Sequence, residues 1–176
     1  MPTGYLGLGS NVGDREAHLR AAIGLLSAKG VEVEVVSSAY ETEPVGEVID
    51  QPDFLNAAVR VRTGLAPEEL LGLCKEIEAE RGRDLNAPRH SPRPLDVDLL
   101  LLGDLELSTE RLTLPHPQVS NRRFVLEPLL ELDPELSLPD GTSLADALAS
   151  LGPGERVTRI GPPPPDARAS RRDLQS

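Results

Sequence analysis

Hydrophobic positions along the chain recur with a period that switches between two residues and three to four. Tyr5-Leu6-Gly7-Leu8 reads as a first strand, closed by the turn-rich run Gly9-Ser10-Asn11-Val12-Gly13. From Asp14 to about Lys29 the pattern is helical, with Leu19, Ile23 and Leu26 on one face and Gly30 as terminator. Val31-Glu32-Val33-Glu34-Val35 alternates as a half-buried strand does, and strand character continues toward Tyr40. After a loop rich in proline, glycine and acid, strand composition resumes from Phe54 to Val61. Pro67 then stands at a first helical position, opening a helix to about Arg81 with Leu70, Leu71, Cys74 and Ile77 inward. An arginine-rich stretch without periodicity ends at Leu95. The run Asp96-Val97-Asp98-Leu99-Leu100-Leu101-Leu102-Gly103 reads as a strand whose second half is buried on both faces.

The order strand, helix, strand, strand, helix, strand predicts an α+β fold, a ferredoxin-like antiparallel sheet with helices packed on one face. A C-terminal extension adds short strand candidates near Leu112 and helices near Phe124 to Leu132 and Ser143 to Leu151. Residues 1–160 read as a single domain. Residues 161–176, with Pro162-Pro163-Pro164-Pro165, read as a disordered tail, because so little apolar surface cannot offset the entropy of ordering.

Composition narrows the partners. A chain of 176 residues can bury a core without disulfides or a structural metal. A formal charge of −11 argues against a general nucleic-acid binder, which needs a basic footprint. No apolar run approaches the roughly 18 residues of a membrane span, and the start lacks a basic segment followed by an apolar one, so a soluble, cytoplasmic protein is expected. The single cysteine, Cys74, lies on an apolar helix face and reads as a buried small residue.

Candidate chemistry centres on Asp96 and Asp98. One residue apart on a strand, they project from the same face with backbone positions about 7 Å apart, a separation that can bracket one or two metal ions. Mg²⁺ takes carboxylate and phosphate oxygens together. Two solvated acids at a wet strand end are the bland alternative, weakened by the four leucines that follow, since paired like charges at the mouth of a buried strand call for cations or protons. Arg81, Arg83, Arg89 and Arg93 fall in the preceding loop and suit phosphate oxygens, although pairing with Glu78, Glu80 and Asp84 would equally account for any one of them. His116 and Arg122 could add donors. The first loop matches neither a dinucleotide fingerprint nor a P-loop, and reads mainly as a tight turn whose glycines let the backbone lie close to a neighbour or substrate. With no Trp in the chain, Phe54 and Phe124 stand out by their polar neighbours: two aromatics can stack on both sides of a flat heterocycle. Asn56, two residues after Phe54 on the same strand face, can both donate to and accept from the heterocycle's edge.

In order and spacing, Gly7-Leu8-Gly9-Ser10-Asn11, Gln51 to Val59, Ala66 to Leu71, Pro92-Arg93-Pro94-Leu95-Asp96-Val97-Asp98 and Pro115-His116-Pro117 resemble the signatures of the 6-hydroxymethyl-7,8-dihydropterin pyrophosphokinase family, over about residues 3 to 151. The resemblance implies transfer of pyrophosphate from ATP to a pterin alcohol in folate biosynthesis, by an enzyme that works as a monomer on small molecules. It implies that Asp96 and Asp98 hold two Mg²⁺ ions, that Arg83 and Arg93 act with them in catalysis, and that His116 and Arg122 contact ATP phosphates. Lys75, Glu78, Leu99, Arg111, Leu112 and Thr113 would complete the nucleotide site. Phe54 and Phe124 would sandwich the pterin, with Asn56, Thr42 and the Pro44-Val45 backbone at its polar edge. Leu85, His90 and Pro117 depart from residues frequent in the family, and Glu43 replaces a proline seen in some members. A non-catalytic ferredoxin-like sensor of a nucleotide or heterocycle is the competing expectation. A two-metal nuclease is a more distant one.

Overall fold

The computed structural model describes residues 1–43, 52–82, 94–152 and 156–161. In chain order these form β1 (Thr3–Ser10), α1 (Arg15–Ala28), β2 (Glu32–Val36), β3 (Ala39–Thr42), β4 (Phe54–Arg62), α2 (Pro67–Glu80), β5 (Asp96–Leu102), β6 (Leu107–Ser108), β7 (Thr113–Leu114), α3 (Arg123–Leu132), α4 (Leu144–Ser150) and β8 (Val157–Gly161). Local chemistry sets the helix starts. The Asp14 carboxylate accepts from the Ala17 amide at 3.1 Å, Pro67 occupies the first turn of α2, where Glu69 accepts from the Ala66 amide, and Ser143 accepts from Asp146 N–H. Beyond α1, Gly30 takes φ of +93°, a conformation that side chains resist.

The main sheet runs β5-β1-β4-β3-β8, with β2 also paired to β4, and each of these pairings is antiparallel. Alternation along the strands divides the core in two. Leu6, Leu8, Ala57, Val59, Val61, Val97 and Leu99 pack on one face with Leu19, Ile23 and Leu26 of α1 and Leu70, Cys74 and Ile77 of α2. On the other face Tyr5, Ala58, Leu100 and Leu101 pack with Leu126 and Leu129 of α3 and Leu144 of α4. The C-terminal extension is thus a second helical layer, and the sheet is covered on both faces. A register shift opposite Tyr5 and Leu6 sets Leu100 and Leu101 on the same side, which is how consecutive leucines serve that second layer.

Two features departed from the alternation read in the sequence. The strand expected to continue toward Tyr40 is broken at Ser37 and Ser38, both fully buried. There the Ser37 hydroxyl accepts from the Ala58 amide at 2.8 Å, while the Ser38 amide and hydroxyl donate to one Glu131 oxygen at 2.8 and 3.1 Å. Tyr40 donates to the other Glu131 oxygen at 2.6 Å; burial, then that carboxylate, raises the Tyr40 pKa above its ordinary value. Glu131 therefore pins α3 to β3. Second, Val157–Gly161 forms an added edge strand. Cys74 is buried as expected, its thiol pushed up to about 12 by burial and by the Glu78 and Asp98 carboxylates.

Candidate functional site

The β1–β4–β5 register builds a bare patch on the second face of the sheet. Gly9 lies between Asp96 on β5 and Asn56 on β4, and Gly7 lies between Asp98 and Ala58. Strand alternation turns Gly7, Gly9, Asn56, Asp96 and Asp98 to one side, and two of these positions carry no side chain. The result is a cavity of about 360 Å³, floored by the two glycines. Its walls are Asp96, Asp98, Phe54, Asn56, Thr42, Glu43, Leu100, His116, Gln118, Arg122, Phe124, Val125 and Pro128. The volume falls in the range that encloses small organic ligands.

Each wall has a structural reason for its position. Phe54 opens β4 opposite Thr42, and Phe124 stands in the first turn of α3, the helix that Glu131 fastens to β3. Asn56 is 8 % exposed and donates to the Thr42 hydroxyl at 2.6 Å, so its carboxamide is held in one orientation at the cavity. A Cβ on Gly9 would come within 2.7 Å of the Asn56 Oδ1, so only glycine leaves that amide in place. Asn11 of the first loop donates to the Pro52 carbonyl at 3.1 Å, which ties that loop to the entry of β4.

β5 is the edge strand at this end, and its outer edge is not left to solvent. Glu78, fully buried on α2, accepts the Val97 amide at 2.8 Å, between the two aspartates, and the His116 amide donates to the Leu100 carbonyl at 2.9 Å. Asp96 and Asp98 thus stand on a strand fastened from both sides. Asp98 is exposed and Asp96 half-buried, so both reach the solvent side of the cavity.

His116 is the clearest case of a tuned group. Burial holds its pKa below the ordinary 6.5, and the Gln118 amide donates to its Nδ1 at 3.1 Å. The neutral ring therefore carries its proton on Nε2 and offers one N–H toward an acceptor in the cavity. Stability from the neutral ring is therefore fully present above pH 6.5 and lost as pH falls through the depressed folded value. The unfolding midpoint of the wild type should drop between pH 7.5 and pH 5.5 by more than that of His116→Gln. Parallel curves for the two proteins would refute this assignment. His18 shifts the same way, through burial and the Arg81 charge, and acts as background in both proteins.

The structure brings Asp96, Asp98, His116, Arg122, Thr42, Phe54, Asn56 and Phe124 together at one cavity. Lys75, Glu78, Leu99, Arg111, Leu112 and Thr113 lie outside its walls. Leu99 and Leu112 belong to the opposite core, Arg111 pairs with Glu68 at the start of α2, and Lys75 lies 3.5 Å from Glu78. They form a second group around α2, β5 and β7. Glu78, expected to contact nucleotide, is fully buried and spends an oxygen on the β5 backbone, so its part is to hold the strand of the aspartates. Arg81, grouped in the sequence with possible anion binders, donates to His18 Nδ1 at 3.1 Å from its Nε. Pro44, Val45, Arg83, Leu85, Arg89, His90, Arg93 and the tail beyond Gly161 lie outside the described residues. Sequence reasoning did not single out Gln118, Leu100, Val125 or Pro128 as wall residues. The Gln118 role is carried by its backbone, which leaves no mark in residue type.

The chain matches the family model described as 7,8-dihydro-6-hydroxymethylpterin-pyrophosphokinase over residues 5–134. It is 46 % identical over 160 residues to the 2-amino-4-hydroxy-6-hydroxymethyldihydropteridine pyrophosphokinase of Methylorubrum extorquens, covering 89 % of this chain and 99 % of that one. With the Bacillus subtilis protein of the same name it shares 50 % identity over 129 residues, 73 % of this chain and 76 % of that one. With a folate synthesis bifunctional protein of Arabidopsis thaliana it shares 47 % identity over 127 residues, 72 % of this chain but only 26 % of that protein. Among solved structures, an HPPK-DHPS in complex with substrates superposes with a TM-score of 0.65 at 14 % identity, over 85 % of this chain and 43 % of that one. The wild-type Plasmodium falciparum HPPK-DHPS with SDX-DHP gives 0.62 at 17 %, again over 85 % of this chain and 43 % of that one. At such identities the likeness is one of fold, and the chain spans less than half of those longer proteins.

Proposed function

The chain belongs to the 7,8-dihydro-6-hydroxymethylpterin-pyrophosphokinase family, and from that premise we propose that it transfers the terminal pyrophosphate of ATP to the hydroxymethyl group of 6-hydroxymethyl-7,8-dihydropterin, a step of folate biosynthesis. The observation that supports this most is the shared cavity: one glycine-floored space has a carboxylate pair on one wall and an aromatic pair with an oriented carboxamide on the others. A non-catalytic sensor would bind its ligand without the carboxylate pair, and family membership speaks against that reading.

In this reading the pterin ring lies between Phe54 and Phe124, with its polar edge on Asn56 and Thr42. Residues Pro44 and Val45 are assigned to the same edge. The hydroxymethyl oxygen attacks the β-phosphorus of ATP; the bond from that phosphorus to the oxygen bridging the α-phosphate breaks, and AMP leaves with that oxygen. His116 donates its Nε2–H to a phosphate oxygen, and Arg122 with Arg83 and Arg93 balances charge on the transferring group. Lys75, Arg111, Leu112, Thr113 and Leu99 are assigned to the nucleoside end along the outer side of β5. Glu78 acts through the strand rather than on the nucleotide.

Asp96 and Asp98 fit Mg²⁺ by donor chemistry: two carboxylates on one strand face, opposite glycines whose missing side chains leave room for phosphate oxygens and water to complete a hard-oxygen set. Bound there, two Mg²⁺ ions would supply Lewis-acid stabilisation of phosphate charge. A monomer in the cytoplasm is the form proposed; among the described residues no helix is long and apolar enough to cross a membrane.

The bond that breaks can be tested with analogues. An ATP with carbon in the α,β bridge should be inert, whereas one with carbon in the β,γ bridge should still donate its terminal pair of phosphorus atoms. The reverse pattern would mean single phosphoryl transfer and overturn the proposal.

A further inference from the structure

Arg156, just before β8, makes three contacts at the rim of the cavity. Its amide donates to the Glu43 carboxylate at 2.9 Å, its carbonyl accepts from the Glu43 amide at 3.4 Å, and its guanidinium pairs with the Asp53 carboxylate. Glu43 itself lines the cavity. Asp53 immediately precedes Phe54, which sits across the ladder from Thr42, and Thr42 in turn pairs with Val157 of β8. From the opposite side Arg15 donates to the Asp53 carbonyl at 3.0 Å and to Glu41 at 3.2 Å. The residue before Phe54 is therefore gripped twice, by Arg15 on its carbonyl and by Arg156 on its side chain.

We propose that Arg156 is a positioning residue for the heterocycle subsite: its side chain touches neither substrate and acts by fixing Asp53, and through it Phe54 on the wall that Phe54 forms with Thr42. The proposal rests on the pyrophosphokinase reading and extends it to a strand beyond residues 5–134 of the family match. The Arg156 side chain is 62 % exposed, and an ion pair so placed adds little to stability. Its effect is therefore expected in ligand affinity rather than in folding. Glu43 binds the Arg156 backbone, so substitution of the arginine side chain leaves that bond and the β3–β8 ladder intact.

The test compares wild type with Arg156→Ala, Arg156→Lys, Asp53→Asn and the Arg156→Ala/Asp53→Asn double variant. Arg156→Ala should raise KM for the pterin alcohol about fivefold, with KM for ATP, kcat and the unfolding midpoint unchanged. Arg156→Lys, which keeps the charge, should recover most of the loss. Asp53→Asn should match Arg156→Ala, and the double variant should be no worse than either, because both delete one interaction. An unchanged pterin KM in Arg156→Ala would overturn the proposal, as would both KM values rising together with a lower midpoint. A wild type that makes no pterin diphosphate would sink the functional reading instead. Fluorescence titration with the pterin alcohol would then decide for Arg156: weaker binding by Arg156→Ala upholds it, and equal binding overturns it.

Discussion

Asp98→Ala is expected to lower AMP formation from Mg-ATP and the pterin alcohol by at least about three orders of magnitude, while the unfolding midpoint stays close to that of wild type. Both halves follow from position. Asp98 is exposed on the cavity side of β5, opposite Gly7, so its removal opens no void in either core. The strand beneath it stays fastened by Glu78 at Val97 and by His116 at Leu100. What is lost is one of two carboxylates that share a face and a cavity with Asn56 and both phenylalanines. Asp98→Asn should recover little, since a neutral amide is a poor substitute where two phosphate-bound cations must be held. Rate and midpoint measured on the same preparation decide the matter. A fall in rate that merely tracks a fall in stability would contradict the assignment.

Gly9→Ala carries the second large effect, through geometry alone. The new methyl would sit 2.7 Å from Asn56 Oδ1, closer than real side-chain carbons come. Asn56 has no easy retreat, being 8 % exposed and bonded to Thr42 at 2.6 Å. The carboxamide must turn out of its orientation or β1 must shift away from β4. Pterin affinity should therefore fall between about tenfold and a hundredfold, by direct titration of the pterin alcohol, a loss of about 1.4–2.7 kcal/mol. Affinity for ATP should change much less. Gly24→Ala, at a helical glycine with nothing within 4 Å of the added carbon, serves as the control and should change neither. Equal pterin affinity in Gly9→Ala and wild type would show that the Asn56 carboxamide does not read the ligand.

Much of this arrangement was legible in the chain because period and punctuation agreed. Asp14, Gly30 and Pro67 mark helix ends that the structure reproduces within a residue or two, and the leucine faces of α1 and α2 are those that pack on the sheet. The cavity walls were legible for a related reason: strand alternation places Phe54 and Asn56 on one face, and Asp96 and Asp98 on one face, whatever the tertiary detail. That those two faces coincide is decided by the register of β1 against both neighbours, which no local pattern encodes. The register shift at Leu100 was hidden for the same reason, because four leucines in a row read alike whichever way each one points.

β8 escaped because Val157–Gly161 is an edge strand with three exposed positions, and partial exposure erases alternation. The break at Ser37 and Ser38 escaped because their polar groups are satisfied by residues distant in sequence: Ser37 exchanges bonds with the Ala58 backbone, and the Ser38 amide and hydroxyl donate to Glu131, over 90 residues away. Glu78 shows the limit of a resemblance as a guide to burial. The resemblance implied a place in the nucleotide site, whereas in the structure Glu78 is fully buried and accepts the Val97 amide of β5.

The most direct test of the central claim is a mixture of purified protein, Mg-ATP and 6-hydroxymethyl-7,8-dihydropterin, with nucleotide and pterin products separated and quantified together. AMP and pterin diphosphate should accumulate one for one, and neither should form with Asp98→Ala. ADP with a pterin monophosphate, or no pterin product from well-folded wild-type protein, would contradict it.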